Sequence, residues 1–307
     1  MKYWITLATL LLVAGCGDKT ATDAAETTTE PEAQASAPAD DAASADAMSP
    51  LQAALDAQPE EAQARYDQRH PGETLEFFGI EPGMTVMEGL PGGGWYTKIL
   101  LPYLGSDGTV IGVDYALDMF PLFGFFSEER LEAKKTWTTD WVAQAEGWRG
   151  DHDASVEAFV FGSRDAGQFD GRADAVLMVR ALHNLARFES EGGYLTAAMA
   201  DAHAVLKSGG VLGVVQHEAR AEMADEWAGG QNGYLKRDFV IAAAEAAGFE
   251  FVEASDINAN PADQPTAEEF VWRLPPTLNG ARDNPELRDA MVAIGESNRM
   301  TLKFVKP

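Results

Sequence analysis

The chain has 307 residues, and 49 acidic side chains against 23 lysines and arginines give it a formal net charge of −26. That balance disfavours nucleic acid and anionic lipid headgroups as partners, because both are repelled at long range. The single cysteine, Cys16, excludes an intramolecular disulfide and a multi-thiolate metal site, and the five histidines have no zinc-ligand spacing.

The first residues read as an address. Lys2 gives a short basic start, residues 4–14 are a largely apolar stretch of eleven, and Leu12 to Gly15 lead into Cys16. Eleven residues are too few for a bilayer, which takes about 20 as a helix, so residues 1–15 are expected to be a secretory signal. The sequence LVAGC resembles a bacterial lipoprotein cleavage box, which implies acylation of Cys16 and a lipid anchor on the periplasmic face of a membrane. Gly17, rather than an aspartate, leans towards the outer membrane. From residue 17 to 48 Ala, Thr, Asp, Glu, Pro and Ser dominate without one aromatic. Such a segment cannot bury enough apolar surface to offset its ordering entropy, so residues 16–48 are expected to be the lipidated cysteine and a disordered acidic linker. Residues 49–307 suffice for one large α/β domain.

Helical spacing runs over residues 51–69, interrupted at Pro59 and stopped at His70, Pro71 and Gly72; residues 74–79 form a second short helix. Glu81, Pro82 and Gly83 turn the chain into an apolar strand over 85–88. The triplet Gly92, Gly93, Gly94 and an amphipathic segment follow, which reads as strand, tight turn, helix. A second strand, 109–113, ends on Asp114, twenty residues past Gly94. Further strands are expected at 158–161, 173–179, 211–215, 249–254 and 300–305, with helices at 194–206 and 237–247 and a tight turn at 207–210. Strands alternating with helices predict a doubly wound, mostly parallel sheet with right-handed crossovers. Ligands of such sheets bind outside the carboxyl ends of the strands, which gathers Glu88, Asp114, Ser163, residues 180–184 and residues 216–218 on one rim.

Glycines in the first turn let a ligand approach the backbone and leave unpaired amides at the helix start. Asp114 stands where nucleotide-binding folds of this kind place a ribose-gripping carboxylate. A dinucleotide fingerprint needs a third glycine three places after the second, but that residue is Thr97, which weakens a nicotinamide or flavin reading. Glu88 at the end of the first strand suits a positively charged ligand such as the amino group of S-adenosylmethionine. Blander readings stay open: Asp114 as a cap, Glu88 as a carboxylate that only pins the turn, and the glycines as a bend that needs positive φ.

With the turn PGGGWYT, the sequence resembles class I S-adenosylmethionine-dependent methyltransferases, within them a group of bacterial predicted methyltransferases. The resemblance continues through DAVLMVRALHNL (174–185), VLKSGGVLGVVQHEA (205–219), EAAGFEFVEASDINANPAD (245–263) and the terminal LKFVKP, covering about residues 69–307. The chain departs from the wider superfamily at Leu90, where the first glycine after the carboxylate is usual. The resemblance implies a Rossmann-like seven-stranded sheet whose last two strands pair antiparallel. It also implies S-adenosylmethionine as cofactor, with Glu88, Gly92, Gly93, Gly94, Asp114, Ser163 and Arg180 as the binding set. Residues 180–184 would line a site for a small or hydrophobic methyl acceptor. There His183 or His217 would take a proton, with Asn184 beside them, although a satisfied structural histidine is the commoner reading of each. Alignment supplies much of the acceleration in methyl transfer, so an obligatory base need not exist.

The aromatics between residues 119 and 148 form either a lid over an apolar substrate or a helical subdomain burying its own rings. Residues 255–263 lack the glycine and distal glutamate of a calcium loop and read as a turn, and no metal is expected. The leading expectation is an exported, lipid-anchored methyltransferase. Because the donor is made in the cytoplasm, a non-catalytic periplasmic ligand-binding lipoprotein with the same fold is the alternative. The oligomeric state has no signal in the sequence.

Overall fold

Alternating apolar strands and amphipathic helices produce the layered architecture in the computed structural model, which describes residues 48–163 and 168–307. The signal, Cys16 and the acidic linker lie outside the described residues. The element order is α1 (Pro50–Asp56), α2 (Glu60–Gln63), α3 (Tyr66–Arg69), α4 (Pro71–Phe78), β1 (Thr85–Gly89), α5 (Thr97–Leu104), β2 (Thr109–Asp114), a 3-10 segment (Leu117–Phe123), α6 (Glu128–Lys134) and α7 (Trp137–Glu146). There follow β3 (Ser155–Val160), β4 (Ala173–Val179), α8 (Leu182–Arg187), α9 (Glu189–Gly192), α10 (Tyr194–Val205), β5 (Leu206–His217), α11 (Arg237–Ala246), β6 (Glu250–Ser255), a second 3-10 turn (Val271–Arg273), α12 (Pro285–Ile294) and β7 (Arg299–Val305).

The seven strands form one sheet in the order β3-β2-β1-β4-β5-β7-β6. The first five pair in parallel, and β7 inserts antiparallel to both β5 and β6. This is the expected doubly wound, mostly parallel α/β fold. Central strands are apolar on both faces because helices cover both. Along β4, Ala175 and Leu177 join Val86, Val110 and Val215 under Leu75, Phe78, Ile99, Leu100 and Trp141. Val176 and Met178 face the other way, with Met87, Ile111 and Val214, towards Leu182, Leu185, Leu195, Ala198 and Val240. A small third cluster, Met223, Trp227, Tyr234 and Val271, stands over the β5 end.

The expected first helix is three short ones, broken at Pro59 and again before Tyr66. The expected turn at 207–210 is instead part of β5. There Gly209 N donates to Lys306 O at 2.7 Å and Lys306 N donates to Gly210 O at 2.9 Å, so the tail of β7 captures it. Residues 255–263 are a turn, as expected: Asn258 donates to Thr74 and Thr301, and Asp263 is buried against Arg273 and Tyr234. Among the described residues no cluster of His, Cys, Asp or Glu could hold a metal ion, and no helix is long and apolar enough to cross a membrane.

The aromatic connection splits in two. Trp137 and Trp141 stack on α7, and Trp141 presses on Gly112 so closely that a Cβ there would meet its ring at 2.5 Å. Phe120, Phe123, Phe126, Tyr115 and Phe188 cluster instead at the β2 end of the rim. Because Trp141 is only 2% exposed, Trp141→Ala should cost roughly 3–5 kcal/mol. The check is urea unfolding of the full chain by circular dichroism; a loss under about 1 kcal/mol would mean that the site collapses around the deletion.

Candidate active site

Parallel strands leave their carboxyl ends on one edge, and the candidate residues come from those ends. Glu88 is the penultimate residue of β1, Asp114 ends β2, Ser163 lies three residues past β3, Arg180 directly follows β4, and His217 ends β5. The rim does not bring them to a single point. It carries two adjoining clefts at β2 and β3, and a third at β1, β4 and β5.

At the first strand Glu88 is buried and accepts a 2.6 Å hydrogen bond from Thr97 Oγ1 on the first turn of α5. The residue that takes the place of a third glycine thus ties the helix to the strand through the carboxylate. Burial raises the Glu88 carboxyl from 4.5 to about 7, and the Thr97 bond only partly offsets this. Between them the bend uses positive φ at Leu90 (57°), Gly92 (54°) and Gly94 (76°). A side chain at Gly94 would be strained and would also meet the Trp148 ring at 2.3 Å, so Trp148 covers that end of the bend. Gly92 and Gly93 remain exposed.

Asp114 is already engaged. Its Oδ2 accepts a 2.7 Å hydrogen bond from Lys134 Nζ of α6, and its Oδ1 accepts from the backbone N–H of Tyr115 at 2.9 Å. Lys134 also stands 4.5 Å over the Phe120 ring. Two clefts of about 250 and 350 Å³ meet beside this pair at Leu117, Val160 and Ser163. The Ser163 hydroxyl donates back to Val160 O at 2.9 Å. Asn184 donates to the Tyr115 hydroxyl at 2.9 Å, which pins α8 to the β2 end and leaves this amide away from both histidines' hydrogen bonds.

The third cleft, about 210 Å³, is lined by Leu90, Arg180, His183, His217, Trp272 and Glu296 among others. His183 and His217 lie with ring centroids 5.5 Å apart, and His217 Nδ1 is 2.5 Å from Ser297 Oγ. Burial, reinforced by the Arg180 and Arg187 charges, lowers His183 to about 4. Burial and then His183, Arg180, Arg299 and Arg69 push His217 well down. Both rings are therefore neutral at pH 7, and the same shifts make each a weaker proton acceptor than a free imidazole.

The surroundings of this cleft join residues remote from one another in the sequence. Glu296 accepts from Arg65 Nε at 2.9 Å and from Arg69 Nε at 3.1 Å, and Arg299 Nη1 lies 3.5 Å from it. Burial would raise this carboxyl, but Arg69, Arg299 and Arg65 together hold it below the ordinary range. Burial and repulsion by Arg180 bring Arg69 down to about 10. Tyr96, two residues past the triplet, adjoins the same arginines: burial raises its hydroxyl to about 12 against the pull of Arg299, Arg69 and Arg180. These residues are far apart in the chain and carry no mutual spacing. Only Arg69, at a predicted helix end, had any local signal.

No protein-family model matches the chain, and no curated protein matches it. Among solved structures it is similar to a SAM dependent methyltransferase from Aquifex aeolicus, with 18% identity over 66% of this chain and 93% of that one and a TM-score of 0.43. It is similar to an arsenic(III) S-adenosylmethionine methyltransferase from Chlamydomonas reinhardtii, with 16% identity, 83% and 72% coverage and a TM-score of 0.42. The cyclase SpnF is also matched, at 16% identity, 78% and 80% coverage and a TM-score of 0.45. The sheet order, read directly, defines the fold.

The buried Glu88 generates a pH signature. With its carboxyl at about 7 in the fold and near 4.5 unfolded, the native state holds more protons between those values, so stability falls as pH rises through them. Glu88→Gln keeps an acceptor for Thr97 and cannot titrate. Thermal unfolding at several pH values from 5 to 8 should show the wild type losing ground to the variant up to about pH 7 and the gap levelling off above it; a constant gap throughout would assign Glu88 an ordinary ionisation.

Proposed function

We propose that the protein is an S-adenosylmethionine-dependent methyltransferase for a small acceptor, exported and anchored to a membrane through acylated Cys16. The observation that carries the reading is one edge of the sheet. There a glycine bend with exposed Gly92 and Gly93, the carboxylate of Asp114 and a cleft with two neutral histidines adjoin consecutive parallel strands. In this reading the donor's sugar competes with Lys134 for Asp114, and its methionine end lies along the exposed part of the bend. Glu88 acts through Thr97 to hold the bend. The acceptor occupies the third cleft, where His183 or His217 receives a proton if the nucleophile releases one. No metal takes part in this scheme.

A binding protein without turnover is the second reading, and two observations favour it: Lys134 neutralises Asp114, and Trp148 covers Gly94. In that reading the same rim holds a nucleoside-like or hydrophobic ligand.

Titration calorimetry of the full chain with S-adenosylmethionine tests both. Asp114→Ala should weaken binding by roughly 1.5–3 kcal/mol, the usual effect of removing a charged acceptor. Transfer of a labelled methyl group to an envelope extract separates the enzyme from the binder. Donor binding without transfer would favour the binder, and no donor binding would sink both the cofactor and the enzyme.

A further inference from the structure

Four arginines, Arg65, Arg69, Arg180 and Arg299, share one carboxylate, Glu296, beside the third cleft. Glu296 is bonded or paired to three of them. The guanidinium of the fourth, Arg180, has no hydrogen bond or ion pair among the described residues, yet it lines the cleft together with Glu296 and His217, and its charge acts on both. The neighbourhood therefore holds an excess of positive charge that its own carboxylate does not neutralise, within a chain whose net charge is −26. An unpaired guanidinium kept among like charges is costly to the fold unless something else satisfies it.

The backbone around it is also unusual. Leu90 and Arg180, at the ends of adjacent strands β1 and β4, both have positive φ, 57° and 56°. Each is held by a hydrogen bond to the next strand, Leu90 N to Val113 O at 2.7 Å and Arg180 N to Val215 O at 2.6 Å. Two non-glycine residues in this region border the same cleft, a concentration of strain that favours a functional role. The remaining walls include Leu90, Val179, Trp272 and Pro275, which are apolar.

The geometry points to a site for a small organic carboxylate, its anionic end on Arg180 and its apolar body against Leu90, Val179 and Trp272, with His183 and His217 beside it. This assignment rests on the proposed function, in which this cleft receives the methyl acceptor, and it gives that acceptor a chemical class. A general anion affinity is not implied, since the overall charge repels anions and only the local excess attracts them. A planar guanidinium suits a carboxylate with two parallel hydrogen bonds.

The experiment titrates benzoate, benzamide and inorganic phosphate into the full chain, with and without saturating S-adenosylmethionine. Benzoate should bind at least about tenfold more tightly than its neutral amide, as expected for one charge-assisted contact. Arg180→Met keeps much of the stem; it should abolish that preference and leave the unfolding temperature equal or higher, because it removes an unpaired charge. Equal affinity for acid and amide, a preference that survives Arg180→Met, or a lowered unfolding temperature would each overturn the site. Tighter binding of phosphate would overturn the carboxylate assignment, and competition between benzoate and S-adenosylmethionine would give Arg180 to the donor and not the acceptor. Donor binding without benzoate binding sinks the site alone, whereas benzoate binding without donor binding sinks the methyltransferase reading and with it the acceptor role.

Discussion

A single buried carboxylate organises the edge of the sheet formed by the strands' carboxyl ends. Glu296 sits in the loop before β7, and its partners Arg65 and Arg69 come from the opening helices, more than two hundred residues away in the chain. A carboxylate removed from water needs this compensation, and three guanidiniums provide it in low-dielectric surroundings. The pairing fastens α3 to the β7 end and so closes the side of the cleft that β4 and β5 open. Burial above all keeps the two histidines of the cleft neutral, and nearby guanidiniums, Arg180 among them, add to it.

The bend between β1 and α5 follows a different logic, in which the chain supplies its own ligands. Thr97 binds Glu88, Lys134 binds Asp114, and Trp148 lies against Gly94. Each contact satisfies a polar group or a gap that would otherwise face water or a cofactor. Lys134 belongs to the short helix α6, and its pair with Asp114 is partly buried. Trp148 is tied in turn, since Lys98 stacks on its ring at 4.5 Å.

Much of the architecture is visible in local pattern. The apolar run 173–179 predicts β4 to the residue because a strand covered on both faces needs continuous hydrophobicity. Residues 194–206 repeat at helical spacing, and Tyr194–Val205 form α10, Leu206 opening β5 instead. Less visible were the short helices α6, α8 and α9, whose lengths are too small for a clear period. The strand at 206–217 runs through a glycine pair that locally reads as a turn, because pairing with β7 outweighs local preference. The aromatic segment read as one unit divides between a buried face and the rim, a choice that depends on which sheet residue each ring meets.

Residue order alone determined a doubly wound sheet and the position of its ligand-facing edge, because strand hydrophobicity, turn glycines and strand-ending carboxylates are local properties. It also placed Glu88, Asp114, Arg180 and His217 at strand ends, where connectivity puts them on the same side. What those groups touch was decided only in three dimensions: Lys134 on Asp114, Thr97 on Glu88, and Arg65, Arg69 and Arg299 around Glu296. Charge neutralisation and proton affinity depend on distances of a few ångströms between segments remote in sequence, and no spacing along the chain encodes them.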